Sequence, residues 1–451
     1  MIVSGVKMKD SKVKMKDSKI TVKDSKKTIL AWSFYDWANS AFATTVMAGF
    51  FPVFFKSYWS TGATVQQSTF YLGMANSIAS IIVAALAPIL GAIADRGSIK
   101  KKLLIFFAFL GCIMTGSLWF VKAGYWQLAI LFYITGTVGF SGANIFYDSL
   151  LPGIASEKKI DYASSLGFGL GYIGGGLLFL INVAMYLKPA LFGIADDITA
   201  IRIAFLTVAI WWAVFSIPIM LFVKEPDKDK GLPLGKAISS GFKQLGETFR
   251  QIRYLKVVSL FLLAYWFYID GVDTIIRMAV DYGASLGFPS ESLIIALLIV
   301  QFVAFPATLC YNLLSKKTGI KKALLIAIAA YSILTVLGYF MKTTTHFYIL
   351  AVSIGLFQGG IQALSRSYYS RLIPEKQAAE FYGFFNMLGK FAAVIGPALM
   401  GIVTLVSGSN RLGILSILVL FIAGAILLIK VDEQKGREML DQYNKKIASE
   451  K

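Results

Sequence analysis

The chain is poor in the residues that soluble catalysis usually draws on. It carries one histidine and two cysteines in 451 residues, too few for a His/Cys metal cluster. Cys112 and Cys310 share no redox or zinc spacing, and both sit in apolar runs, where they read as small packing residues. His346 lies at a loop edge and reads as surface. Charged residues make up 15% of the chain, against roughly 25% in ordinary globular domains. A soluble multidomain protein is thereby excluded. No nucleophile paired with a base and no phosphate loop stands out, so no enzyme, metal or cofactor is expected. Gly169-Leu-Gly171-Tyr-Ile-Gly174 fits a dinucleotide fingerprint, but no strand precedes it. Its small residues instead suit close helix packing.

What is abundant is apolar: 57% of residues are hydrophobic and the mean hydropathy is +0.67. The net charge of +19 could signal nucleic acid. However, the basic residues fall in short loops between apolar runs, as positive-inside topology requires, and no nucleic-acid partner is expected. Residues 1–28 form a low-complexity basic arm with a seven-residue repeat, Lys7-Met-Lys-Asp-Ser-Lys-Val13 followed by Lys14-Met-Lys-Asp-Ser-Lys-Ile20. Such a segment cannot bury a core and is expected to be disordered. It lacks the pattern of a secretory signal. Beyond it, runs of membrane-spanning length, ~20 residues, predict twelve helices. They fall near 29–57, 68–94, 102–121, 126–150, 162–187, 200–223, 256–283, 291–315, 321–341, 346–371, 380–406 and 411–430.

One set of loops holds the arm, Arg96 to Lys102, Glu157 to Lys159, Lys316 to Lys322 and Arg371 to Lys376. The other set holds few cations. The first set is therefore expected on the cytoplasmic side, with both termini inside. A 224–255 linker divides a bundle over 29–223 from one over 256–432, and 433–451 is a cytoplasmic tail. The bundles read as copies. Tyr147-x-x-Leu-Leu-Pro152 returns as Tyr369-x-x-Leu-Ile-Pro374, 222 positions on. Trp32, Asp36, Asn39 and Ser40 return as Trp266, Asp270, Asp273 and Thr274, 234 positions on. The fold expected is an all-α membrane protein with twelve transmembrane helices in two parallel six-helix repeats.

Polar residues inside spans are costly and normally face a cavity or a partner. In the first span Asp36, Asn39 and Ser40 share one face. They suit substrate or cation binding, or equally a structural anchor. In the seventh, Asp270, Asp273, Thr274, Arg277 and Asp281 stack along one side, with Asp270 ~21 Å from the start of the span. Asp270 could load a proton or hold a cationic group, whereas Asp273 could simply pair with Arg277. In the tenth, Gln358, Gln362 and Arg366 form a stripe ending in a fixed cation. Asn144 and Asp148 occupy the positions of Arg366 and Ser370 in the fourth span. Arg366 could clamp a substrate carboxylate or phosphate, or lock to Asp36 or Asp148 as a gate. Arg371, nearer the loop, reads as a contact to lipid headgroups or helix ends.

Two sets of residues carry a resemblance. Gly91-Ala-Ile-Ala-Asp95-Arg96-Gly-Ser-Ile-Lys100-Lys-Lys102 resembles the signature loop between helices 2 and 3 of the major facilitator superfamily. There the loop is cytoplasmic, and the resemblance implies gating roles for Asp95 and Arg96. The runs Tyr35-Asp36-Trp37-Ala-Asn39-Ser40-Ala-Phe42 and Phe51-Pro-Val-Phe-Phe55 resemble the Atg22-like branch of that superfamily. So do Tyr268-Ile-Asp270-Gly-Val-Asp273-Thr274 and Leu364-Ser-Arg366-Ser-Tyr-Tyr-Ser-Arg371-Leu-Ile-Pro374. The eukaryotic members of the branch are described as vacuolar amino-acid effluxers. Gly396-Pro397, expected to bend its helix, resembles part of the antiporter motif of facilitator exporters.

The reading is a secondary transporter in a bacterial cytoplasmic membrane, monomeric and surrounded by the lipid bilayer. It moves a small-molecule solute, plausibly an amino acid, with a proton or by facilitated efflux. Asp36, Asn39, Asp270 and Asp273 would hold the amino group or the proton, and Arg366 the carboxylate. Alternatives are an exporter of amphipathic or lipid-like compounds and a transport-inactive sensor or scaffold.

Overall fold

The computed structural model describes residues 23–63, 65–225 and 255–449. Most of the expected arm and linker lie outside these, as do the side chains of Arg96, Asp281 and Lys390. The apolar runs fold as helices because hydrocarbon offers no partner for a backbone N–H or C=O. In chain order they are α1 Lys26–Trp59, α2 Val65–Gly97, α3 Lys100–Ser117, α4 Trp126–Ile154, α5 Ile160–Leu187 and α6 Asp197–Phe222. After the linker come α7 Lys256–Ser285, α8 Ser290–Thr318, α9 Ile320–Tyr339, α10 Thr344–Leu372, α11 Ala378–Ser407 and α12 Asn410–Ile429. Eleven helices are long and apolar enough to cross a membrane among the described residues; α11, with 30 residues, takes the twelfth place.

Several details differ from expectation. Helix α1 starts inside the predicted arm, where Ser25 caps it by accepting from the Thr28 N–H. It then runs through π-helical turns at Phe42–Phe50 and Phe55–Trp59. The tail forms a further helix, α13, over Glu433–Ser449. Cys112 is buried, but Cys310 is exposed on α8.

The repeat is visible in which helices pack together. In the first half α1 packs on α5 and α6, and α4 on α2 and α3; in the second α7 packs on α11 and α12, and α10 on α8 and α9. Each half has its own apolar core. The halves meet through α2 with α11, α5 with α8 and α10, and α4 with α11. Glycine makes two of these approaches possible. A Cβ on Gly91 would collide with the backbone of Ala379, and one on Gly383 would lie 2.6 Å from the Ala87 carbonyl oxygen. Leu131, Ile210, Ile333 and Leu405 point outward, as the lipid-facing surface of such a bundle requires.

Candidate functional site: a charged latch between the halves

At the end of the bundle that carries the basic α2–α3 turn, Arg366 of α10 crosses from the second half into the first. Its Nη1 donates to Asp148 Oδ1 of α4 at 3.1 Å, and Nη1 and Nη2 both reach Asp36 Oδ2 of α1 at 3.3 Å. Nε donates to Ser164 Oγ and Nη2 to the Ser164 carbonyl of α5, each at 2.9 Å. Tyr147 donates to Asp36 Oδ2 at 2.8 Å, and Asn386 of α11 reaches Asp148 Oδ2 at 3.4 Å. Arg366, Asp36 and Asp148 are all buried, Arg366 being 3% exposed. The guanidinium lies between rings, 4.1 Å from the Phe168 centroid and 4.9 Å from that of Trp32. Trp32 stacks on Tyr147 at 4.2 Å and donates its indole N–H to the Tyr147 carbonyl. Removing one partner of such a buried pair leaves an uncompensated charge, at a cost of about 3–5 kcal/mol. A planar, delocalised cation suits this place because it can bond and stack at once. Only glycine fits at 167, where a Cβ would lie 2.7 Å from Asp36 Oδ2 and 2.8 Å from the Tyr147 hydroxyl.

Nearer the surface a second layer joins the halves. Asp95 accepts the Glu380 backbone N–H at 2.9 Å, at the start of α11, where the helix dipole favours an anion. Lys100 holds the same carboxylate at 2.7 Å. Glu225 accepts from the N–H groups of Lys100 and Lys101, both at 3.2 Å. Burial pushes its carboxyl above the ordinary range, against the pull of those amides and of the Lys100 ammonium. The gating position expected at Arg96 falls on a side chain outside the described residues. Arg371, read above as a contact to headgroups or helix ends, meets a helix end: it pairs across the halves with Asp161, in the first turn of α5, at 2.7 Å.

Deeper than the latch lies a neutral polar layer. Asn39 donates to Asn144 at 2.6 Å within the first half. Tyr172 of α5 donates to Gln362 of α10 at 2.5 Å, bridging the halves. Gln358, one turn beyond Gln362, is buried with its Oε1 unpartnered. Asp270 is not in this layer. It accepts the Gly396 N–H of α11 at 2.9 Å and lies 3.4 Å from Thr274 Oγ1, all within the second half. Asp273 is half-buried and Arg277 exposed. The structure thus brings Asp36, Asp148 and Arg366 together, and Asn39 with Asn144. It places Asp270 apart from both groups.

Sequence reasoning passed over Tyr147, Ser164, Gly167, Tyr172 and Asn386. Of these, Tyr147 stands out in the sequence only as a marker of the repeat. Lys390, one turn beyond Asn386 on α11, was also missed, although an intramembrane lysine is a functional signal on its own. Among the described residues an apolar cavity of about 70 Å³ lies between α7, α8, α9, α10 and α12, lined by none of these charges.

Comparison with known proteins places this architecture. The profile of the family described as "Vacuole effluxer Atg22 like" matches residues 24–441. The uncharacterized MFS-type transporter YxiO of Bacillus subtilis strain 168 is 41% identical over 416 residues, 92% of this chain and 97% of that one. Autophagy-related protein 22 of Yarrowia lipolytica is 24% identical, over 76% of this chain and 72% of that one. Among solved structures, the proton:xylose symporter XylE superposes with a TM-score of 0.68 at 16% identity, covering 92% of this chain and 97% of its own. An outward-facing bacterial homologue of ferroportin gives 0.64 at 14%, covering 90% and 98%. Both show the shared fold. By the family profile and the 41% identical relative, the chain belongs to the Atg22-like effluxer family of the major facilitator superfamily.

Proposed function

We propose that the protein is a secondary transporter that moves a small polar solute, an amino acid, by alternating access across a bacterial cytoplasmic membrane. The observation that carries this reading is the latch itself. One buried guanidinium from the second half holds two carboxylates of the first, so rocking the halves apart must break it. A transport-inactive scaffold has no need of a costly charge cluster at a moving interface. In this orientation the latched end is cytoplasmic and both termini face the cytoplasm. The solute site is the neutral layer one to two turns deeper. Asn39, Asn144, Gln358, Gln362 and Tyr172 supply donors and acceptors there, and Asp273 supplies a carboxylate for an ammonium group. Arg366 serves the solute's carboxylate only once the latch is open, since its N–H groups are otherwise engaged.

Counterflow in proteoliposomes tests this. Vesicles loaded with a mixture of unlabelled amino acids should accumulate trace labelled amino acid, and Gln362→Ala should weaken the uptake. Uptake of amphipathic cations with no amino-acid uptake would replace this reading with that of an amphipath exporter.

A further inference from the structure

Arg366 faces two carboxylates, and they are not held equally. Asp36 Oδ2 receives the Tyr147 hydroxyl at 2.8 Å together with two guanidinium nitrogens. Asp148 receives one guanidinium nitrogen at 3.1 Å, while its other oxygen meets, among the described residues, the Asn386 amide at 3.4 Å. Two carboxylates sharing one cation in a buried site oppose each other's ionisation. The proton therefore goes to the carboxylate that loses least by becoming neutral.

We propose that Asp148 is a proton-binding site whose occupation releases the latch. This deepens the transport reading and rests on it for its purpose, though not for its measurement. The step is simple: a proton from water converts the Asp148 carboxylate to a carboxylic acid, and the guanidinium keeps its charge. The ion pair with α4 becomes a bond from a charged guanidinium to a neutral acid, without the attraction between opposite charges. Arg366 then stays tied to the first half through Asp36 and Ser164 alone.

The groups around Asp148 come from four other elements. They are Asp36 of α1, Ser164 of α5, Arg366 and Ser370 of α10, and Tyr382 and Asn386 of α11. Tyr382 donates to the Arg366 carbonyl at 3.0 Å, which ties α11 to the same cluster. Tyr265 of α7 stacks beyond them on Phe385. Lys390 lies one turn further along α11, with its side chain outside the described residues. Asp270 bonds to Gly396 and Thr274 inside the second half, so a proton there would leave these latch contacts unchanged.

The test reads the distance between the halves at the latched end, without any solute. Spin labels at Lys158→Cys, on an exposed turn, and Lys322→Cys, exposed at the start of α9, are placed in a Cys310→Ser background. Distance distributions are recorded from about pH 8 to about pH 5, and the ratio of long to short populations should rise about tenfold, the shift that one unit of differential proton affinity supplies. Asp148→Asn should show the long population at both ends of the range. Asp148→Glu should restore a titration with a displaced midpoint, and Asp270→Asn should titrate like the native protein. A native distribution indifferent to pH, an Asp148→Asn variant that titrates normally, or an Asp148→Glu midpoint that has not moved would each overturn the proposal. The Glu variant keeps this decisive if Asp148→Asn does not fold. Amino-acid counterflow with no pH response would overturn the proton site and leave the transport reading standing. A full pH response with blank counterflow would do the reverse.

Discussion

Asp36 and Asp270 hold the same place in the two repeats, on α1 and α7, yet they do different work. Asp36 faces the other half and takes part of Arg366. Asp270 turns into its own half and takes a backbone N–H from α11. The difference lies in the partners rather than in the carboxylates. Gly174, the counterpart of Gly396, packs on Trp37 and would drive a Cβ to within 2.7 Å of it. That leaves Asp36 to pair sideways with Tyr147. The second half has Arg366 where the first has Asn144, and Ser370 where the first has Asp148. Duplication supplied a symmetric frame; a few substitutions made it a one-way latch with both carboxylates on one side and the cation on the other.

The largest test of this contrast is Arg366→Ala against Asp270→Ala. The first strands two buried carboxylates at about 3–5 kcal/mol, borne at the interface. The second leaves a buried N–H unsatisfied at about 1–3 kcal/mol, borne within one half. Both should lower the thermal midpoint of the detergent-purified protein, Arg366→Ala more. Only Arg366→Ala should lengthen the distance between labels across the halves. A matching change in Asp270→Ala would erase the distinction between the two aspartates.

A smaller contrast concerns the glycines behind each carboxylate. A Cβ at 167 would press on Asp36 Oδ2, Tyr147 and Arg366. A Cβ at 396 would press on Thr274 and on Asp270 Oδ1. Overpacking of this kind costs about 1–3 kcal/mol, so the two alanine variants should lose similar stability. They should separate in distance measurements, with Gly167→Ala weakening the latch and Gly396→Ala leaving it closed. Equal opening in both would show that α11 transmits strain from Asp270 to the interface.

Much of the frame was legible because length and hydropathy alone decide where a helix can span. The repeat was legible because copied residues keep their spacing. The site was legible only in part. Asp36, Asp148 and Arg366 could be singled out as intramembrane charges, but periodicity along one helix does not say which neighbour it faces. For Asp270 it did not reveal that one carboxylate oxygen accepts an N–H of α11. Tyr172 and Ser164 were hidden for another reason. A tyrosine or serine in a span is common, and only the partner 190 or 202 positions away, Gln362 or Arg366, gives it a role.

The finest test uses the tryptophans that precede the two aspartates. Trp32 donates its indole N–H to the Tyr147 carbonyl and stacks on that ring, below the guanidinium. The counterpart Trp266 has a buried Nε1 with no hydrogen-bond partner. Replacing either by Phe keeps an aromatic ring and removes the donor. At position 32 this removes a second bond to a carbonyl inside α4, at about 1 kcal/mol for the lost bond. At position 266 it removes a polar atom that was already unsatisfied, so the hydrogen-bond change is neutral or favourable. Trp32→Phe should therefore lower the thermal midpoint further than Trp266→Phe. It should also loosen Tyr147, and with it the hold on Asp36, so that the latched distance broadens. Equal midpoints in the two variants would mean that the first repeat gains nothing from its indole bond, and that the asymmetry between the halves rests on charge alone.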